Sequence, residues 1–363
     1  MKNKLLISSA LAGGLVLGGS AFAQTTITGS LDLHYRAITN DGQSTSTMLS
    51  RNGLGREAQL NVQSKGKLNN GLDYAAGFAL EFDGDAAPSD GNARNKTAVF
   101  STAAGSVSNE NTYIDIIAGS TTLTVGIDHV QNSTKHSAPM IRSHLDDVGF
   151  GTALNLSVTD QVGARTKEAM YYGIVQAIPG TGLTLSAVKA PQGNDRGASD
   201  QSVTVSQERN SNYEVGVVGS NAFGVAGLNL HAFKNKETKS TSTGNDLNGT
   251  TYGIGYTFGQ FGIGAEQLKQ NRSSDNTTAE SNMKATLYSA TYAVNKELSL
   301  GAMYTVNRID NTAENEKIKS VQVGYNLGPV AIIGHYDLYN GANGSTAASA
   351  EGKQLGLRLS TNF

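Results

Sequence analysis

The stretch Lys353-Gln354-Leu355-Gly356-Leu357-Arg358-Leu359-Ser360-Thr361-Asn362-Phe363 puts Leu355, Leu357, Leu359 and Phe363 on one parity and Gln354, Arg358, Ser360 and Asn362 on the other. A β-strand sends successive side chains to opposite faces, so this is a strand with one apolar and one wet side. The same rhythm runs through Leu72 to Asp83, where Leu72, Tyr74, Ala76, Phe78, Leu80 and Phe82 alternate with Asp73, Ala75, Gly77, Ala79, Glu81 and Asp83. Segments of this kind recur along the chain, separated alternately by very short turns and by long polar stretches. A soluble sandwich rarely spaces its loops so unequally. Tight turns at one end, long loops at the other, an outward apolar band and a polar lumen describe an all-β transmembrane antiparallel β-barrel.

Composition agrees. The 363 residues include 43 Gly, 5 Pro and no Cys, and mean hydropathy is −0.28. Without cysteine no disulfide staples the fold, and a closed ladder of hydrogen bonds takes that role. A barrel hides its hydrophobicity in every second residue, so its average stays polar. Residues 1–23 read as an export signal: Lys2 and Lys4, an apolar run from Leu5 to Gly19, then Ala21-Phe22-Ala23 before Gln24. That run is shorter than the roughly 20 residues a spanning helix needs. The mature chain, 24–363, is expected to be a single barrel domain. Taking Lys2 and Lys4 from 28 basic residues leaves 26 against 30 acidic ones, a net charge of −4. No long basic run exists, which argues against a nucleic-acid partner.

The first strand is expected over about Thr26 to Ala37, with Ile27, Leu31, Leu33 and Tyr35 outward and Thr28, Asp32, His34 and Arg36 toward the lumen. A loop from Thr39 to Asn52 and a strand to about Lys67 follow. Leu68-Asn69-Asn70-Gly71 is a turn by its chemistry. A loop through about Asn111 leads to a hairpin, Tyr113 to His129, turning at Gly119-Ser120. Further short turns fall at Ile178 to Gly182, Gly219 to Gly227, Gly259-Gln260, Asn295-Lys296-Glu297 and Gly328-Pro329. Between them lie polar stretches such as Asn235 to Gly249, Asn271 to Asn282, Asn307 to Lys317 and Asn340 to Gly352. Seven turns and eight loops make about 16 strands, with about 14 or 18 as the counts one hairpin away. Tyr252, Tyr256, Phe258, Tyr288, Tyr292 and Tyr336 fall on outward parities and suit an interfacial girdle.

Several segments carry a family likeness. Ser50-Arg51-Asn52-Gly53-Leu54-Gly55, then Leu68 to Leu72, then Phe78-Ala79-Leu80-Glu81, and later Arg165, Tyr171, Pro179 and Gly182 to Ala187, resemble in order and spacing the general bacterial porins of the outer membrane. The resemblance implies a homotrimer of 16-stranded barrels set in outer-membrane lipid and lipopolysaccharide. Each would have a water-filled pore narrowed by an inward-folded third loop, here about Val130 to Glu168. Phe363 on its alternating strand is similar to the signal read by the barrel-assembly machinery during biogenesis. Two departures stand out. The Pro-Glu-Phe-Gly-Gly loop tip of relatives is missing, Asp146-Asp147-Val148-Gly149-Phe150-Gly151 being the nearest element. Where many relatives have a Gly-Arg pair, this chain reads Gly126-Ile127-Asp128-His129, an acid in place of an expected base.

Enzyme chemistry is not visible. There is no Gly-x-Ser-x-Gly elbow, phosphate loop or His-Glu-x-x-His. His136 and His144, near Asp146 and Asp147, match no zinc spacing, so neither metal nor cofactor is expected. The expected function is passive diffusion of small hydrophilic solutes and ions through the Gram-negative outer membrane. Asp128, Asp146 and Asp147 are the candidate acidic side of the constriction. Arg36 and Arg358 are the basic side, because first and last strands must adjoin, with His34 and Arg142 beside them. The expected pore prefers cations weakly. The alternatives are a substrate-selective channel for a sugar, phosphate or carboxylate, and a non-conducting adhesin. Absence of tryptophan weighs against an aromatic sugar slide, and the third loop has no run of lysine or arginine for phosphate.

Overall fold

The structure is a computed structural model and describes residues 24–40, 52–83, 107–126, 170–190, 212–237, 247–272, 282–310, 312–341, 346 and 351–363. Sixteen strands follow one another in chain order. They are β1 (Gln24–Asn40), β2 (Asn52–Lys67), β3 (Asp73–Asp83), β4 (Val107–Ala118), β5 (Thr121–Gly126), β6 (Tyr171–Ile178), β7 (Leu183–Ala190) and β8 (Asn212–Ser220). The second half comprises β9 (Leu228–Glu237), β10 (Leu247–Phe258), β11 (Phe261–Arg272), β12 (Met283–Ala293), β13 (Leu298–Ile309), β14 (Glu316–Leu327), β15 (Val330–Asn340) and β16 (Gly352–Asn362). Each pairs antiparallel with its neighbours in sequence, and β16 pairs with β1, so the sheet closes on itself. Closure leaves no edge of unpaired backbone groups to face hydrocarbon.

Burial is inverted relative to a soluble protein. Large apolar side chains lie on the outside, with Ile263 51% and Val321 56% exposed, whereas Glu316 and Asp337 are wholly buried. A lipid solvent makes the outward apolar side chains favourable, since the outer face meets hydrocarbon. The tyrosines expected outward are there: Tyr252, Tyr256, Tyr288 and Tyr336 are exposed on the outer face. At the short-turn end, Tyr256, Phe258, Phe261 and Tyr292 form a chain of rings with centroid separations of 5.7, 5.8 and 4.8 Å. Aromatic bodies with polar tips suit the membrane interface.

All seven short turns stand where turn chemistry placed them. Strand limits needed correction. Asn235 to Glu237, Asn307 to Ile309 and Glu316 to Lys317, read as loop, are strand. Above the apolar band both faces are wet, so the period-2 signal vanishes although the ladder continues. Asn307 Nδ2 donates to Glu316 Oε1 at 2.6 Å in that upper region. The first strand likewise runs Gln24–Asn40. The strand expected from Tyr113 begins at Val107, with a register shift between Gly77 and Ala79 that sets two residues, Asn111 and Thr112, against the one residue Phe78. Asn111 has φ 47°, so its positive-φ preference, read as loop, builds a β-bulge inside β4. The end of the expected hairpin, residues 127–129, lies outside the described residues.

Candidate permeation pathway

Parity assigns one side of every strand to the lumen, and the seam of the barrel carries three of the seven pore residues named from sequence. Arg358, on β16, donates from Nε and Nη2 to the two oxygens of Asp32 on β1, at 3.0 and 2.8 Å. This two-pronged pair matches the planar fork of a guanidinium to a carboxylate. In the register His34 stands opposite Arg358 and Arg36 opposite Gly356. On β15, His335 Nδ1 lies 2.6 Å from Asp337 Oδ2 two residues along the same inner face. The His335 ring covers Gly356, where a Cβ would come within 1.9 Å of Nε2. Of the expected residues, His34 and Arg36 hold inward register positions on β1, across from Arg358 and Gly356 of β16. Arg358 is held by an acid of its own wall. Asp128, Arg142, Asp146 and Asp147 lie outside the described residues, as does the third loop.

Sequence reasoning overlooked the remaining wall carboxylates. Asp115, Glu214, Glu266, Glu316 and Asp337 are all buried on inward parities. Glu214, on β8, sits half the circuit from the seam, with Asn235 donating to it at 3.4 Å. Glu266 and His231 flank Gly253 in the register and approach to 3.3 Å. Counting parity from each turn would have found them, because an acid in phase with inward neighbours has one face available. The inner wall is also less uniformly polar than expected. Leu268, Met283, Ala285, Leu287 and Met303 form a buried apolar cluster on the inner side of β11 to β13. Their parity is inward, and apolar side chains that lie against one another across neighbouring strands keep each other out of water. Among the described residues no group of three His, Asp or Glu is placed to hold a metal ion.

At the seam's lower end Phe363 completes the ladder: its N–H donates to Gly29 O at 2.9 Å, and Gly29 N–H donates to Phe363 O at 2.7 Å. The phenyl ring lies over Gly29, where a Cβ would be 2.3 Å from it.

A family model described as Gram-negative porin matches residues 8–351. No curated protein matches the sequence. Among solved structures, a loop-deletion variant of OmpT, an outer membrane protein of Vibrio cholerae, superposes with a TM-score of 0.61 at 13% identity, covering 94% of this chain and 99% of that one. A triple mutant of the Rhodopseudomonas blastica porin gives a TM-score of 0.55 at 13% identity, covering 94% and 100%. Likeness at this identity speaks for the fold.

Proposed function

The chain belongs to the Gram-negative porin family, and on that premise we propose that its outer-membrane channel passes small hydrophilic solutes and ions by passive diffusion with a weak preference for cations. The observation that carries the preference is the segregation of charge. Asp32, Asp115, Glu214, Glu266, Glu316 and Asp337 are buried on the inner wall, while Lys189, Lys234, Lys269, Lys284, Lys317 and Lys319 fall on outward parities. Arg358, on that wall, is bonded to Asp32. Carboxylates facing a narrow aqueous path concentrate cations, an effect that weakens as salt shortens the screening length. Asp128, Asp146 and Asp147 add to the acidic side in this reading, and Arg36 and Arg142 oppose them.

The test is a reversal potential across a planar bilayer with a tenfold salt gradient. The wild type should favour cations slightly, and Glu316→Gln/Asp337→Asn and Asp146→Asn/Asp147→Asn should each move the potential toward anions. A clear anion preference in the wild type would refute the reading. Currents that saturate with one sugar, phosphate or carboxylate would favour the substrate-selective alternative. Three further proposals accompany the channel. Residues 1–23 are removed on export, so amino-terminal sequencing of membrane-inserted protein should begin at Gln24. The barrels assemble as homotrimers, for which the outward faces of β4 to β6 offer Ile114, Ile116, Leu123, Val125, Tyr172 and Ile174. Phe363 is read by the barrel-assembly machinery.

A further inference from the structure

The alternation that turns acids inward leaves one of them only half satisfied. Asp337 of β15 is wholly buried on the inner wall, and His335 Nδ1 lies 2.6 Å from its Oδ2. Its other oxygen, Oδ1, has no hydrogen-bond partner. In the register Asp337 stands between Ser320 of β14 and Gln354 of β16. Gln354 is 1% exposed, and its Oε1 is likewise without a partner. Residues directly opposite on antiparallel strands have Cβ atoms about 4.5–5.5 Å apart, so the two oxygens are close enough to share one small occupant. A carboxylate oxygen and an amide oxygen are acceptors only, and neither donates to the other. The orphaned inner-wall hydroxyls of Thr124, Thr251 and Thr305 differ, because a hydroxyl donates as well as accepts. Gln270 Oε1 is an orphan too, but its register neighbours, Gly249 and Met283, bring no side-chain oxygen. Buried charges are paired or coordinate metals, so the free side of Asp337 calls for a positive charge. Among the described side chains, the fixed cations of β14 to β16 lie elsewhere. Arg358 is bonded to both oxygens of Asp32, and Lys317, Lys319 and Lys353 take outward parities.

We propose that Asp337 Oδ1 and Gln354 Oε1 hold one monovalent cation on the inner wall, with the hydroxyl of Ser320 as a third oxygen. Ser320 is buried beside Asp337 and accepts from Gln322 Nε2 at 3.5 Å. The donor set selects the class of ion. One carboxylate balances a single positive charge. Calcium takes about 6–8 oxygens, commonly with several carboxylates among them, and magnesium gives up its waters reluctantly. Zinc favours nitrogen and sulfur. At a place hidden from bulk water, protein oxygens replace the hydration shell, which suits a weakly hydrated ion such as potassium or ammonium. The ion arrives by the lumen, so the site rests on the channel reading above and gives its permeating cations a place to stop.

The test uses crystals of the full mature protein soaked in thallium(I), a heavy monovalent cation. Wild type should show an anomalous peak between Asp337 and Gln354, and excess potassium, sodium or ammonium should displace it. Asp337→Asn should lose the peak. Gln354→Met, which keeps the volume and removes the oxygen, should weaken it. Gln354→Glu supplies a second carboxylate and should let calcium compete with thallium, a gain that a misfolded variant would not show. Heat-modifiable mobility in an unboiled gel checks that each variant is folded. No peak in wild type, the result expected if Gln354 turned its Nε2 toward Asp337, would overturn the proposal. So would a peak that survives Asp337→Asn, one that none of the three monovalent cations displaces, or displacement by calcium from wild type. Reversal potentials of the same preparations keep the two readings apart. A cation-preferring wild type without the peak fails only the site, and a peak in a protein that does not conduct fails only the channel.

Discussion

Gly356 has no room for a side chain, because the His335 ring occupies the place a Cβ would take. Gly334, on the opposite parity of β15, has nothing within 4 Å of that position. Gly356→Ala should therefore cost about 1–3 kcal/mol through forced displacement of the ring, lowering the temperature at which the folded band disappears from an unboiled gel. Gly334→Ala should leave that temperature unchanged. A second contrast lies at the seam. Asp32→Asn leaves the Arg358 guanidinium on the inner wall without its carboxylate, and the reversal potential should move toward anions. Arg358→Gln should move it toward cations, and the double substitution should return close to the wild type. Equal shifts in both single variants would show that the pair does not act on the permeating ion.

Among the elements, the β16–β1 pairing is the one that converts a sheet into a barrel. Phe363 contributes its last two backbone hydrogen bonds and a ring that rests on Gly29. Deleting Phe363 should reduce the amount of barrel inserted in the outer membrane while synthesis and export continue. Gly29→Leu, which displaces the ring and keeps the carboxyl-terminal residue, should reproduce the loss of stability with less loss of insertion. Quantifying membrane-inserted against periplasmic protein for both variants separates recognition of the residue from closure of the ladder. The bulge at Asn111 shows the same dependence on local chemistry: a residue that tolerates positive φ turns a would-be loop into an interruption within a strand.

For the molecule as a whole, closure and inversion of polarity go together. With β16 bonded to β1 no strand is left open, so detergent has no edge at which to begin unzipping. The folded protein should stay compact in SDS until heated and then change mobility, and its circular dichroism should be that of β-structure. A mainly helical spectrum, or identical mobility before and after boiling, would contradict the barrel. The two faces also divide the charge of the chain, carboxylates inward and most strand cations outward, so the permeation field and the lipid contact are set by the same alternation.

Alternation and turn chemistry by themselves determined the strand number to within a hairpin, all seven turns, the outward tyrosines and the adjacency of first and last strands, because each is a local property repeated along the chain. They also placed Arg358 on the inner wall. Tertiary structure alone decided that Arg358 is bonded to Asp32, residues 326 apart in sequence, that Lys269, Lys284 and Arg308 share one row, and that an apolar cluster interrupts the polar inner wall. Those depend on register between strands, which a period of two cannot specify beyond which face a residue takes. Strand ends above the membrane escaped for a related reason: where water touches both faces, polarity no longer distinguishes them, and only the hydrogen-bonded ladder tells strand from loop.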